Sequence, residues 1–541
     1  MGLTIVGAAI GDCVHVAGVL NFLSLAEEQG YKTVFLGPAV SIDKLLGAVR
    51  ETHADVVAVG YRLSPRAAER TFSSLKEAIR REGLDDRRYI FGGTPSVADV
   101  AKRAGIFETV FSGREDIDEI IAFLKGKRVL KKAEDYPQEL IFRIGFKEPY
   151  PLLRHHFGLP SLEDTIEGAR QIAEEGVLDV LSIGPDQNAQ ESFFRPDEMD
   201  PTQDGAGGVP IRSREHLEAI YAATRTGNFP LLRCYSGTRD LLRMAKMLHE
   251  TINNAWAAIP LFWYSELDGR SHRTLREALS ENLAAMRWHA EHGIPVEVNE
   301  AHHWSLRDAP DPVAVAAAYL AAYNAKKQGV KHYVAQYMFN TPSGTSAIND
   351  LGKMAAKIEL IESLHDDMFT SIREVRAGLS SFPADLWLAK GQLAYSTFLS
   401  MALKPQIVHV VGYSEGVRLA GPEEVMQSCK IVRGVIRNTL HNVPDMLKDA
   451  RVQERKAQLL AEAETILDAI RRLGAGVPDP LADVDTLAAA VEVGILDAPH
   501  LKGGKAGKGL SVTRMVNGAC VSVNPRTGKP ITEASRIAEL W

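Results

Sequence analysis

Cysteine is scarce in this sequence. Four cysteines in 541 residues, at positions 13, 234, 429 and 520, form neither a CxxC pair nor a Cys/His metal spacing. A disulfide framework and a structural zinc site are therefore excluded, and a reducing compartment, the cytoplasm, is the expected location. A basic excess is missing too. Lys plus Arg number 62 against 69 Asp plus Glu, a formal net charge of −7, and the charge is dispersed. No nucleic-acid partner is expected from such a chain, because phosphate binding needs a basic face. No apolar run approaches the ~18 residues of a membrane span, so no membrane partner is expected. Residues 1–6 carry no basic n-region and read as a first strand rather than as a leader. There is no GxxxxGK[ST] phosphate loop. The Gly/Lys-rich stretch 502–509 reads first as a solvated loop and second as a place where lysines meet phosphate.

What is present is the balance of a folded protein, 45% hydrophobic and 24% charged, in a length that implies several domains. In residues 1–127 short apolar runs at 3–10, 32–37, 56–60, 89–93 and 109–113 alternate with amphipathic stretches such as 16–29 and 42–53. That pattern predicts an α/β domain with an open, doubly wound parallel sheet, whose ligands sit beyond the carboxyl ends of the strands. Residues 128–148, with Lys131, Lys132, Glu134 and Asp135, read as a charged linker. Eight further strands are predicted at 150–155, 178–184, 230–235, 255–262, 295–301, 332–339, 368–375 and 407–413, separated by helical patterns. Eight βα units in residues 149–420 match a (β/α)8 TIM barrel, with its site at the carboxyl ends of the strands. Residues 421–541 read as a C-terminal extension, helical at 422–437 and 449–473 and β-like at 511–523.

The first βα loop carries Gly11-Asp12-Cys13-Val14-His15-Val16-Ala17-Gly18. A carboxylate beside an imidazole fixes its tautomer and prepares it as a metal ligand or base. A purely structural hydrogen bond is the alternative. With Gly92-Gly93 after the fourth strand and Leu63 after the third, this domain resembles the flavodoxin-like cobalamin-binding module of methionine synthases and adenosylcobalamin-dependent mutases. The resemblance implies that His15 coordinates the cobalt, that Asp12 holds His15, and that Gly18, Leu63, Gly92 and Gly93 surround the displaced nucleotide tail. Asp12 stands three residues before His15 where the family has two, and Tyr61 occupies the serine position of the family's Ser-x-Leu.

The barrel and extension, in turn, resemble the large subunit of glutamate mutase (methylaspartate mutase). The stretches are Ser381-Phe382-Pro383-Ala384-Asp385, Lys390-Gly391, residues 317–331 and Val491-Glu492-Val493-Gly494-Ile495-Leu496-Asp497. The resemblance implies radical chemistry on an adenosylcobalamin shared by both modules, with Glu415 binding the adenosine ribose. A helix-start carboxylate is the bland alternative for Glu415. The family's three substrate arginines fall near His156, Gln190 and Cys234, beside Arg154 and Arg233. Bidentate arginine recognition is not replaced by His or Gln, so glutamate is not the expected substrate.

The expected catalytic residues are Glu415, His156 and Arg233. The expected substrate contacts are Arg154, His156, Gln190, Arg233, Tyr235, Glu300 and His302, a lining suited to a small polar molecule. Glu300 and His302, two apart on a predicted strand, also suggest a metal pair. In each of His155-His156 and His302-His303, strand alternation sends at most one ring inward. The leading reading is an adenosylcobalamin-dependent isomerase of the carbon-skeleton mutase type. Its alternatives are a cobalamin protein for methyl transfer or sensing, a cofactor-free barrel lyase or hydrolase, and a pyridoxal-phosphate aminomutase using Lys390. A homodimer is the base-rate expectation.

Overall fold

The computed structural model describes residues 3–113, 115, 117–126, 133–440 and 443–540. It divides into two units, Met1–Lys131 and Lys132–Trp541.

The first unit is built on strands β1 (Thr4–Ala9), β2 (Lys32–Phe35), β3 (Val56–Tyr61), β4 (Arg88–Gly93) and β5 (Thr109–Phe111). They form one parallel sheet in the order β2-β1-β3-β4-β5. β1 and β3 are apolar almost throughout and buried on both faces, which requires helices on both sides of the sheet. Those helices include Ala17–Glu28, Ile42–Thr52, Pro65–Glu82 and Pro95–Ala104. Ser41 and Ser64 cap the second and third, each hydroxyl accepting a backbone N–H at 3.3 Å. Val6, Ile10, Val57, Phe72 and Phe91 belong to the core between sheet and helices. This is the flavodoxin-like arrangement. Because the chain winds outward from β1 in both directions, the loops after β1 and β3 flank the topological switch point.

The second unit contains β6 (Leu152–Phe157), β7 (Val180–Ile183), β8 (Leu231–Cys234), β9 (Ala257–Ile259), β10 (Val296–Val298), β11 (His332–Phe339), β12 (Thr370–Ala377) and β13 (Ile407–His409). These strands pair in parallel in the order β8-β7-β6-β13-β12-β11-β10-β9. The seam between β8 and β9 is closed by the loop before β9. Ala255 N–H donates to the Leu232 carbonyl at 2.9 Å. The Asn254 side chain accepts from Cys234 N–H at 3.0 Å and donates to the Trp256 carbonyl at 3.1 Å. The sheet is thus a TIM barrel.

Its amino-terminal end is plugged by Leu140, Leu152, Val180, Leu231, Trp256, Val334, Ile372 and Ile407, with Ile141 and Ile144 packed against them. The linker expected over 128–148 is therefore corrected in its second half. Residues Leu140–Lys147 form a helix whose apolar side seals the barrel, and Lys147 pairs with buried Asp179 at 3.1 Å. Residues 127–132 lie outside the described residues. The barrel also runs past residue 420. The helix Pro422–Thr439 packs against both Leu386–Ser400 and Leu162–Glu175, so it is the eighth helix of the ring.

Beyond it, the helix Ala450–Leu473 lies across Asp311–Lys327 and Ala347–Glu362. A hairpin of β14 (Thr513–Val516) and β15 (Ala519–Ser522) follows. Fully buried Asp311 ties this extension down, accepting from Lys353 at 3.0 Å, Arg455 at 2.7 Å and Cys520 N–H at 3.2 Å. Among the described residues no helix is long and apolar enough to cross a membrane.

Candidate functional site

Barrel strands alternate inward and outward residues, and the charged ones are not at random positions. Above the apolar plug an inward layer carries Arg154, Ser182, Arg233, Glu297, Gln336, Glu374 and His409. Such charges are tolerated in a dry interior only when paired. Arg233 meets Glu297 at 2.7 Å, and Glu297 also accepts from the Trp256 indole and the Gln336 amide, both at 2.8 Å. Arg154 pairs with Glu374, and it donates to Ser182 at 2.8 Å and to His409 Nδ1 at 3.0 Å. Burial alone pushes the Glu297 carboxyl up, but Arg233 and Arg154 pull it below its usual value, so it stays ionised. The expectation that Arg154 and Arg233 hold substrate is corrected here. Both guanidiniums are buried and engaged by carboxylates within the layer.

The next inward layer is the mouth. It is formed by His156 from β6, Tyr235 just beyond β8 and Arg376 from β12, two residues further along each strand than Arg154, Arg233 and Glu374. His156 Nε2 accepts from Arg154 Nη2 at 3.0 Å and faces the Tyr235 hydroxyl at 2.9 Å. An arginine can only donate, so the His156 proton sits on Nδ1, which has no partner among the described residues. Burial and the cations Arg154, Arg233 and Arg376 hold this imidazole neutral, well below its ordinary pKa. Arg376 donates from Nε to the Ala377 carbonyl at 3.4 Å, and no carboxylate lies within 4.0 Å of it among the described residues. Sequence reading missed Arg376. Its signal was parity, since Glu374 pointing inward obliges Arg376 to do the same.

His155 points away from the barrel axis and is fully buried. Its Nδ1 donates to the His156 carbonyl, so Nε2, 3.3 Å from Glu415, makes no hydrogen bond among the described residues, and Glu415 accepts from Gly412 N–H at 3.0 Å. Glu415 therefore stands in the loop after β13 with a quarter of its side chain open to solvent. Gln190 joins none of these groups. It sits on the helix Gln187–Ser192 and donates to the Pro185 carbonyl at 2.8 Å.

The Glu300–His302 pair is also corrected. β10 stops at Val298, and Ala301–Ser305 is a short helix, so the two residues do not share a strand. Glu300 is fully buried and accepts from Leu261 and Phe262 N–H at 3.0 and 3.1 Å and from the Trp304 indole at 2.7 Å. Burial pushes its carboxyl up to about 8 despite those donors. His302 and His303 both stay inside, their rings tilted by 34° with centres 4.4 Å apart. Neither ring nitrogen of His303 has a partner among the described residues. Helical rather than extended backbone explains how neighbouring rings share one side. No group of three His, Cys, Asp or Glu suited to a metal occurs among the described residues.

In the first unit, the loop after β1 is pinned at its base. Gly11 N–H donates to Val40 O and Cys13 O accepts from Ala39 N–H, both at 2.9 Å. Beyond that base His15 is exposed. Its Nδ1 faces the buried Cys13 sulfur at 3.9 Å, whereas Asp12 points into solvent. The expected Asp12–His15 contact is thus replaced by a thiol, because the extra residue rotates the carboxylate away. A Cβ added at Gly18 or Gly92 would meet nothing within 4 Å. At Gly93 it would lie 2.5 Å from the Tyr61 carbonyl. Gly93 is therefore required by packing of β4 on β3, while Gly18 and Gly92 border open space. Leu63 is 44% exposed.

The family model of the methylaspartate mutase E chain (MutE) matches residues 274–532. Among solved structures, a cobalamin-binding protein from Desulfitobacterium hafniense DCB-2 is 27% identical over 20% of this chain, with a TM-score of 0.19. This chain spans about half, 52%, of that protein. A cobalamin-dependent S-adenosylmethionine radical enzyme, OxsB, is 11% identical over 90% of this chain and 70% of its own, with a TM-score of 0.18. From the helix after β9 through the C-terminal hairpin, the chain is similar to the methylaspartate mutase E chain.

Proposed function

We propose that this protein is an adenosylcobalamin-dependent radical isomerase that rearranges a small polar substrate other than glutamate. The observation that carries the reading is an exposed His15 at the switch point of a flavodoxin-like unit, in the same chain as a barrel whose later half is matched by the methylaspartate mutase E-chain family. The residues present fit such a cofactor. His15 Nδ1 is turned toward Cys13, which leaves Nε2 for the metal, and Gly18 and Gly92 leave room that any side chain would fill. In the first unit His15 would hold the cobalt, with Leu63 and Gly92 beside the nucleotide tail. Bound there, adenosylcobalamin supplies a cobalt–carbon bond whose homolysis starts hydrogen abstraction.

The barrel's own residues have separate tasks. The apolar plug and the paired layer of Arg154, Arg233, Glu297 and Glu374 close the interior to water from below, which protects reactive species. His156 offers an Nδ1–H donor that stays neutral and gives up no proton, and Tyr235 holds its ring in place. Cation-rich, water-poor surroundings strengthen each polar contact to a bound substrate.

The test is an anaerobic titration of the full chain with adenosylcobalamin and hydroxocobalamin, followed by visible absorbance. Tight binding with a histidine-ligated spectrum is expected. His15→Ala should abolish that spectrum and weaken binding. Binding without any substrate-induced radical signal would favour methyl transfer or sensing instead. An unchanged spectrum in His15→Ala overturns the ligand assignment, and no binding by the wild type overturns the reading.

A further inference from the structure

Among the described residues, the guanidiniums of Arg154, Arg233 and Arg376 project into the upper barrel, and two carboxylates, Glu374 and Glu297, are placed to receive them. Arg154 is taken by Glu374 and Arg233 by Glu297. Arg376 has only a 3.4 Å contact from Nε to a carbonyl, and its two terminal nitrogens have no hydrogen bond among the described residues. Glu415, the remaining carboxylate facing it, lies beyond 4.0 Å and accepts from Gly412 N–H at 3.0 Å. Arg376 is only partly buried, so its unpaired terminal nitrogens reach open space at the mouth, where an anion would meet them in a charge-assisted pair. The groups around it are donors or neutral: His156 with an unpartnered Nδ1–H, and His303 with both ring nitrogens unpartnered.

We propose that Arg376 is the specificity-determining cation of the barrel mouth, seating one carboxylate of the substrate, and that the substrate is a monocarboxylate. Arg154 and Arg233 are spent in the layer below, so a second carboxylate would find no free cation among these three. This rests on the reading of the barrel mouth as the substrate site.

The test uses the full chain without added cofactor and small probes: propionate, propionamide and glutarate, followed by thermal shift and calorimetry. Propionate should bind saturably and propionamide should not, and glutarate should gain nothing over propionate. Arg376→Gln should weaken propionate by about tenfold or more, the worth of a charged hydrogen-bonded pair, and Arg376→Lys by less. Equal binding of propionate and propionamide, much tighter glutarate, or unchanged propionate affinity in Arg376→Gln overturns the proposal. If Arg376→Gln fails to fold, the wild-type probe comparison and Arg376→Lys decide. Hydroxocobalamin titration of the same proteins separates the two readings. A loss of hydroxocobalamin binding in Arg376→Gln with propionate affinity intact moves Arg376 to the cofactor and overturns the proposal. Propionate binding without any hydroxocobalamin binding leaves the carboxylate seat standing and removes the cobalamin reading.

Discussion

Glu297 shows how a single residue can serve the site without touching substrate. Its two oxygens accept from Arg233, Trp256 and Gln336, and Arg154 lies at 3.9 Å. Replacing it with glutamine keeps the shape but leaves Arg233 buried without its anion. Glu297→Gln should cost about 3–5 kcal/mol, the usual penalty for breaking a buried pair. Urea denaturation followed by tryptophan fluorescence measures this, because all six tryptophans lie in the second unit. A loss under ~1 kcal/mol, the scale of an exposed pair, would mean the layer is wet. At this scale the sequence was legible where strand parity was applied, as for His155 and His156. It failed at Arg376, because the predicted strand 368–375 ended one residue before it, while β12 runs to Ala377. Arg373, inside that predicted run, has the opposite parity and points outward to Glu362 at 2.6 Å.

Adjacent glycines in one strand end separate packing from binding at the level of the element. Gly93→Ala would drive a Cβ to 2.5 Å from the Tyr61 carbonyl and 2.6 Å from the Phe91 ring. It should destabilise the first unit by about 2 kcal/mol, an overpacking cost. Gly92→Ala meets open space and should leave the melting temperature unchanged while weakening hydroxocobalamin binding. Thermal denaturation by circular dichroism and absorbance titration of both variants distinguish the two roles. The reverse pattern would mean that Gly92 is structural. Strands were the legible elements, since parallel strands buried on both faces read as apolar runs bounded by Gly, Pro and charged residues. All thirteen predicted runs of the two parallel sheets contain or overlap an observed strand. Boundaries were less legible. The helix Leu140–Lys147 is apolar on one side only, beside a charged stretch, and its partner surface comes from strands far along the chain. Glu300 and His302 misled for a similar reason: β10 is three residues long, and a tertiary carboxylate bond to two backbone N–H groups ends it.

For the whole molecule, the electrostatic design predicts an acid-side weakness. His155, His156, His302, His303 and His409 are held below their ordinary pKa chiefly by burial, with nearby arginines adding to it, and His289 is lowered by burial to about 4. In the unfolded chain each titrates near ~6.5. Below that pH the unfolded state binds protons that the native state refuses, so stability is present above ~6.5 and falls as the pH drops toward 4. Glu300, at about 8, and Asp350, at about 7, act in the opposite sense, because the native state already holds their protons. The six imidazoles outnumber the carboxyls raised by burial, Glu374 and Glu462 included, so urea midpoints should fall from pH 7 to pH 5.5. Each imidazole contributes at most ~1.4 kcal/mol per pH unit. His409→Gln removes one such group, although Arg154 then needs the glutamine oxygen as its acceptor. The variant should flatten the acid slope by about one proton, whatever its effect on stability at pH 7.5. Midpoints that rise on acidification would mean that these rings are charged inside a barrel already holding three guanidiniums. In that case the anion needed at its mouth would have to carry more than one charge.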